Sequence, residues 1–198
     1  NLVSTAISMK AENYFVTFRS QANHLIRVRP MRYDDAPSLV DIFEHMTAES
    51  RYKRFHQTMD QVSPGRVQQE AINIAQADSN SHWGLLAFTD LPDRPHAPIG
   101  AVRLVRTAPH EAEVAISIRD DFQNQGIGSQ LMRMRAEAAE AMGYQQLIAA
   151  IQNDNPAIWH VFRKLPYDVT RLPDGTVSNI VISLTSPREL TEGMVQMS

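Results

Sequence analysis

The chain has 198 residues, 43% of them hydrophobic and 21% charged, which suits one globular domain around a single buried core. A formal charge of −3 provides no global field for drawing in a polyanion, so nucleic acid is not expected as a partner. The absence of cysteine excludes disulfides, thiolate metal sites and a covalent acyl-cysteine intermediate.

Apolar runs are only a few residues long, against the ~20 that a spanning helix needs, and no basic segment followed by an apolar run opens the chain. A cytoplasmic protein without membrane contact is therefore expected. The histidines form neither an HExxH pattern nor close pairs, so no metal is expected.

Residues 1–24 show weak periodicity and are assigned to an N-terminal extension, with a short strand over Tyr14-Phe15-Val16-Thr17-Phe18. Regular patterning begins at Leu25. From Leu25 to Arg29 apolar and basic residues alternate as in a half-buried strand, which Pro30 ends. Asp34 or Asp35 is placed to cap a helix whose apolar face is Leu39, Val40, Phe43 and Met46. A more basic helix is predicted over Glu49 to Phe55, and Ser63-Pro64 reads as an N-cap and first-turn proline opening another that runs to Ala77.

Trp83 to Phe88 is a compact apolar run, and Leu91 to Pro98 reads as a proline-rich loop. Ile99 to Val105 and Glu113 to Ile118 alternate at period two around Ala108-Pro109-His110, which completes a three-stranded antiparallel meander. The rhythm then becomes helical through Ile127, Leu131, Met134, Ala138 and Met142, and Gly143 supplies the stop. A buried strand over Leu147 to Ile151, a short helix opened by Asn155-Pro156, and an Asp174-Gly175 turn before a strand over Val177 to Leu184 complete the order. The result is an α/β layer with a mixed sheet.

The segment with most chemical content is Gln123-Asn124-Gln125-Gly126-Ile127-Gly128, which follows a strand and opens a helix. Two glycines let the backbone curl with its N–H groups inward, and the helix adds its positive end, so the expected ligand is a diphosphate. The third glycine of a dinucleotide fingerprint is missing and no GxxxxGK[ST] occurs, which argues against NAD and ATP. Taken alone, a Gly-x-Gly before a helix is more often just a tight turn; the surrounding elements decide between the two.

A strand ending in Ile116-Ser117-Ile118, the Gln-x-x-Gly-x-Gly loop, a helix, a strand and then Asn153-Asp154-Asn155 before a short helix resembles the acetyl-CoA core of the GNAT superfamily over roughly residues 25–184. The resemblance implies an α/β GNAT fold, a mixed central sheet with helices on both faces, in a domain of residues 25–184 followed by a C-terminal tail of residues 185–198. It implies acetyl-CoA as cosubstrate and an amine acceptor. The main chain of Ile116, Ser117 and Ile118 would pair with the pantetheine arm. Gln123, Asn124, Gln125, Gly126, Ile127, Gly128 and Ser129 would surround the pyrophosphate. Asn155 would lie near the far end of the arm, a role compatible with being a plain helix N-cap.

An alkylamine is protonated at neutral pH and must lose a proton before attacking a thioester, so a general base is required. Glu113 is the candidate: it lies on the strand leading into the loop, where the resembling family often carries a glutamate. Glu111 shares its face and is the fallback. The competing reading of Glu113 is an edge-strand carboxylate bonded to solvent or an arginine; partial burial would favour the base. Backbone N–H groups of the same strand could polarise the thioester carbonyl, and transfer is expected to be direct within a ternary complex.

Two departures from the family stand out. Phe162 occupies the position at which many members carry a tyrosine that protonates the leaving thiolate, and Leu165-Pro166-Tyr167 replaces a Gly-aromatic pair. Tyr167 is therefore read as a packing residue, and water or another group would supply the proton. The basic segment Glu49 to Phe55, with Arg29-Pro30 and the acidic pair after it, is similar to bacterial protein lysine acetyltransferases, although a helix with a solvated basic face looks the same. Three acceptor readings stay open: a protein lysine, a small amine, or no acceptor at all in a noncatalytic acyl-CoA sensor. Edge-strand pairing into a homodimer is open to such a sheet.

Overall fold

Eight strands form one sheet in the order β1-β2-β3-β4-β5-β6-β8-β7, described in a computed structural model for residues 16–47, 63–78 and 80–187. The strands are β1 (Val16–Arg19), β2 (Leu25–Pro30), β3 (His82–Leu91), β4 (Arg94–Ala108), β5 (Glu111–Ile118), β6 (Gln146–Gln152), β7 (Tyr167–Asp174) and β8 (Val177–Pro187). The described helices are α1 (Ala36–Glu44), α2 (Pro64–Ala75), α3 (Ile127–Ala141) and α4 (Pro156–Arg163). Neighbouring strands are antiparallel except β5 and β6, which run parallel because α3 carries the chain back between them.

Alternation along the strands separates two apolar faces. Leu85, Ala87, Val102, Leu104, Val114 and Ile116 point to one side, within a core that also holds Leu131, Met132 and Ala136 of α3 and Phe162 of α4. Leu86, Phe88 and Ala101 point to the other, against Ile42 of α1 and Met46 just beyond it. Helices thus cover both faces. Leu131 and Met132 are fully buried, and each such side chain contributes ~1.5–3 kcal/mol through removal of apolar surface from water.

Local signals account for most element ends. Ser63 caps α2 by accepting the N–H of Arg66 at 3.3 Å, with Pro64 at the first helical position. Gly143 ends α3 at φ 87°, in the left-handed region that glycine enters without a Cβ clash. Asp35 stands at the N-cap of α1 but makes no side-chain capping bond. Its carboxylate instead accepts two 2.8 Å bonds from Arg29 and a 2.6 Å bond from the N–H of Arg32, because a buried bidentate guanidinium is the stronger partner.

Two expectations change. The stretch Leu91 to Pro98 is not a loop: β3 extends through Leu91, β4 begins at Arg94, and the prolines are tolerated beside register shifts at Ala87/Phe88 and Thr89/Leu91. Tyr167–Asp174 forms a strand, β7, that pairs with β8 across the Asp174-Gly175 turn; its weak alternation hid it. At the N-terminal end β1 pairs with β2, and β8 reaches Pro187. The helix expected over Glu49 to Phe55, and Tyr14 and Phe15, lie outside the described residues.

Candidate active site

The parallel pairing of β5 and β6 is short. Glu111 faces Gln146, Ala112 faces Leu147 and Glu113 faces Ile148, and there it stops. Beyond that point β5 stays registered with β4 as far as Ile118, while β6 stays registered with β8 as far as Gln152. The two strands therefore diverge, leaving peptide groups on their facing edges without ladder partners from each other. The cleft between them has a volume of about 480 Å³, within the range of small-ligand sites. Its walls include Glu113 through Ile118 of β5, Ala149 to Ile151 of β6, and Asn155, His160 and Lys164 around α4.

The mouth of the cleft is the glycine loop. Asn124 at φ 57° and Gly126 at φ 81° both adopt left-handed backbone, which bends the chain sharply into α3. Gly126 is the N-cap of α3; no side chain caps the helix and no acidic residue sits in its first turn. The helix start thus presents N–H groups and a positive field uncompensated by its own side chains. Gly128 has no positive φ, yet it lines the cleft, and a Cβ there would sit 3.4 Å from Val161 and 3.6 Å from Ile116. Protein packing does not exclude that Cβ; its absence keeps the space over the helix start open, which fits a diphosphate approaching the backbone closely.

The loop is held from below and behind. The side-chain amide of Gln123 donates to the Ile118 carbonyl at 3.1 Å and to Asp120 at 3.2 Å, joining the end of β5 to the bend. Arg119, buried, makes a bidentate pair with Asp121 at 3.0 and 2.9 Å, and Asp120 accepts the N–H of Thr47 at 3.1 Å, which ties the bend to the end of α1. Gln125 turns away from the cleft: its Oε1 accepts from Ser20 and its Nε2 donates to the Asp121 carbonyl. Ile127 lies in the core. Ile116, Ser117, Ile118, Gln123, Asn124, Gly126, Gly128, Ser129 and Asn155 line the cleft together.

The two carboxylates of β5 differ. Glu111 accepts from Thr107 at 2.8 Å and from the side chain of Gln146, and it stands at the closed end of the strand pair. Glu113 lines the cleft at the last paired position. It is exposed, so the partial burial expected of a base is not supplied by the described residues. Arg103 of β4, whose charge burial disfavours, feels the opposing charges of Glu70 and Glu113.

Around α4, Asn155 accepts the N–H of Ile158 at 3.3 Å as a helix cap and also lines the cleft. Phe162 is buried in the cleft wall and offers no proton. Tyr167 is buried, its hydroxyl donates to Glu140 at 2.5 Å, and burial followed by that bond pushes its pKa well above the ordinary phenol value. It packs β7 onto α3 and does not line the cleft. Sequence reading did not place Gln21, Met46, His160 or Lys164 at the site, yet all four line the cleft. Among the described residues no group of three His, Cys, Asp or Glu side chains gathers to hold a metal, and no helix is long and apolar enough to cross a membrane.

A mixed sheet thus opens between two parallel strands, with a helix N-terminus at the mouth of the opening. The family model described as "Acetyltransferase (GNAT) domain" matches residues 26–167, and the chain belongs to that family. Acetyltransferase PA5475 of Pseudomonas aeruginosa is 22% identical over 178 residues, covering 89% of this chain and 92% of the relative. The GNAT domain of S. lividans PAT superposes with a TM-score of 0.69 at 26% identity, covering 85% of this chain and 96% of that one. The PaiA N-acetyltransferase from Thermoplasma acidophilum, in complex with coenzyme A, has a TM-score of 0.57 at 16% identity over 80% of this chain and 98% of its own. The chain is thus a GNAT-family acetyltransferase by sequence and by fold.

Proposed function

We propose that the chain transfers an acetyl group from acetyl-CoA to a primary amine by direct attack in a ternary complex. The observation that carries this reading is the divergence of β5 and β6 immediately after Glu113 and Ile148, which puts a carboxylate and an uncapped, glycine-opened helix start on one cleft. In this reading Gly126, Gly128 and the N–H groups of the loop hold the pyrophosphate, and the facing edge of Val114 to Ile118 pairs with the pantetheine arm.

Glu113 takes a proton from the acceptor ammonium, which frees the nitrogen lone pair. Nitrogen then attacks the thioester carbonyl carbon, the C–N bond forms, nitrogen releases its second proton to solvent, and the C–S bond breaks with its electron pair leaving on sulfur. Cleft-facing N–H groups of β5 support the negative charge that develops on the carbonyl oxygen. Because Phe162 cannot protonate the thiolate, solvent supplies that proton. With no cysteine in the chain, no acyl-cysteine step intervenes.

The acceptor is read as a lysine side chain of a protein. An exposed Glu113 suits an amine on a long flexible stem arriving from another surface better than a small amine enclosed in a pocket. Release of free CoA, followed with lysine peptides and with small amines as acceptors, tests both parts. Turnover with peptides and intersecting double-reciprocal lines support the reading. Parallel lines contradict direct transfer, and turnover confined to small amines reassigns the acceptor.

A further inference from the structure

The hairpin that joins β1 to β2 is bound to the phosphate loop by contacts spanning more than a hundred residues. The N–H of Gln21 donates to the Gln125 carbonyl at 2.9 Å. The Ser20 hydroxyl and the His24 Nδ1–H both donate to the side-chain oxygen of Gln125, each at 3.1 Å and across 105 and 101 residues. The tip is itself stiff: Ser20 donates its N–H to the His24 carbonyl at 2.9 Å, its hydroxyl accepts the N–H of His24 at 3.1 Å, and His24 packs edge-on to Phe122. These contacts place one side chain, that of Gln21, over the bend. Its amide nitrogen lies 3.4 Å from where a Cβ on Gly126 would stand, and Gln21 is part of the cleft wall. The matched family segment begins at residue 26, after this hairpin tip.

Gln21 is exposed, and among the described residues no bond of its side chain explains why it is held there. A primary amide offers two N–H donors without charge, and the neighbouring loop offers backbone N–H groups; together they converge on one small space. A diphosphate diester presents several acceptor oxygens to such a convergence. We propose that the β1–β2 hairpin is a working part of the cosubstrate site, in which Gln21 donates from its side-chain amide to the pyrophosphate across Gly126 while Ser20 and His24 fix the loop through Gln125. The inference rests on the coenzyme A reading of the cleft and adds a segment and a residue to it.

Calorimetric titration of the full chain and of Gln21→Ala and Gln21→Glu with CoA and with 3′-dephospho-CoA tests it, alongside melting temperatures without ligand. If the unaltered chain binds neither compound, the coenzyme A reading itself fails and takes the inference with it. Where the unaltered chain binds, Gln21→Ala is expected to weaken both ligands about three- to tenfold, the worth of one solvent-exposed hydrogen bond. Gln21→Glu, by setting a carboxylate against the diphosphate, is expected to weaken both by more than about tenfold. Melting temperatures without ligand stay unchanged, since the side chain is exposed. Unchanged affinity in both variants overturns the role of Gln21 while leaving the cleft as the CoA site. A loss seen with CoA alone also overturns it, because the contact would then be to the 3′-phosphate.

Discussion

At the closed end of the β5–β6 pair Glu111 faces Gln146 and accepts from it and from Thr107; two residues on, Glu113 faces Ile148 at the point where the strands part. The side chains are identical and share one face of one strand. Their surroundings differ: the lone pairs of Glu111 are occupied by neighbours at the closed end, whereas Glu113 stands at the fork, where we propose that it takes the substrate's proton. In that proposal, what separates the two carboxylates is the number of hydrogen-bond partners each finds among the described residues.

The comparison breaks most directly under exchange of each carboxylate for its amide. Glu113→Gln should lower turnover by about 10²–10⁴-fold, the usual contribution of a positioned general base, with CoA affinity retained. Glu111→Gln should lower it by less than about tenfold, because that residue offers no proton acceptor at the cleft. Equal losses in steady-state rates would show that both carboxylates belong to one unit and that the division drawn above is wrong.

A second experiment sharpens the contrast between open and closed ends by filling the open one. Gly128→Val puts branched carbons into the space between Val161, Ile116 and the helix start. CoA affinity should fall by at least about tenfold, equivalent to ~1.4 kcal/mol, while the melting temperature changes little. A large fall in melting temperature would instead make this glycine a requirement of packing.

Tyr167 provides a smaller test on the far side of α3. Tyr167→Phe removes its bond to Glu140 and should cost about 0.5–1.5 kcal/mol in denaturant unfolding, with turnover unchanged. Lost turnover at unchanged stability would give this phenol a part in the reaction.

The smallest effect is expected at the edge of the sheet. Asp90 is held at a pKa of about 2, below its ordinary 3.8, chiefly by the hydrogen bond from Arg27 at 2.6 Å and then by the N–H of His96. A carboxylate with a depressed folded-state pKa stabilises the fold above its unfolded value and loses that stabilisation as pH falls through about 4 towards about 2. Its side chain is 49% exposed, so solvent screening limits the contribution to about 0.5 kcal/mol. Asp90→Asn should bring the two unfolding curves together as the pH drops through that window; a constant gap would assign the effect to packing.

Much of this was legible from residue order alone. The meander of β3, β4 and β5, the stop at Gly143, the caps at Ser63 and Asn155 and the bend at Gly126 follow from period, turn chemistry and backbone sterics, all of which act over a few residues. Those local rules also bring Glu113 and the glycine loop onto consecutive elements. They could not disclose β7, whose alternation is weak, or the strand continuing through Pro95 and Pro98, where register shifts absorb the missing donors.

Only the tertiary structure decided where β5 and β6 separate, that Gln125 and Ile127 turn away from the cleft, and that Gln21, His160 and Lys164 reach it. The reason is physical. A dihedral preference or a hydrophobic period is a property of neighbouring residues, whereas the gap between two strands and the partner of a side chain are set by contacts between segments a hundred residues apart, whose favourable terms appear only once the chain has closed around its core.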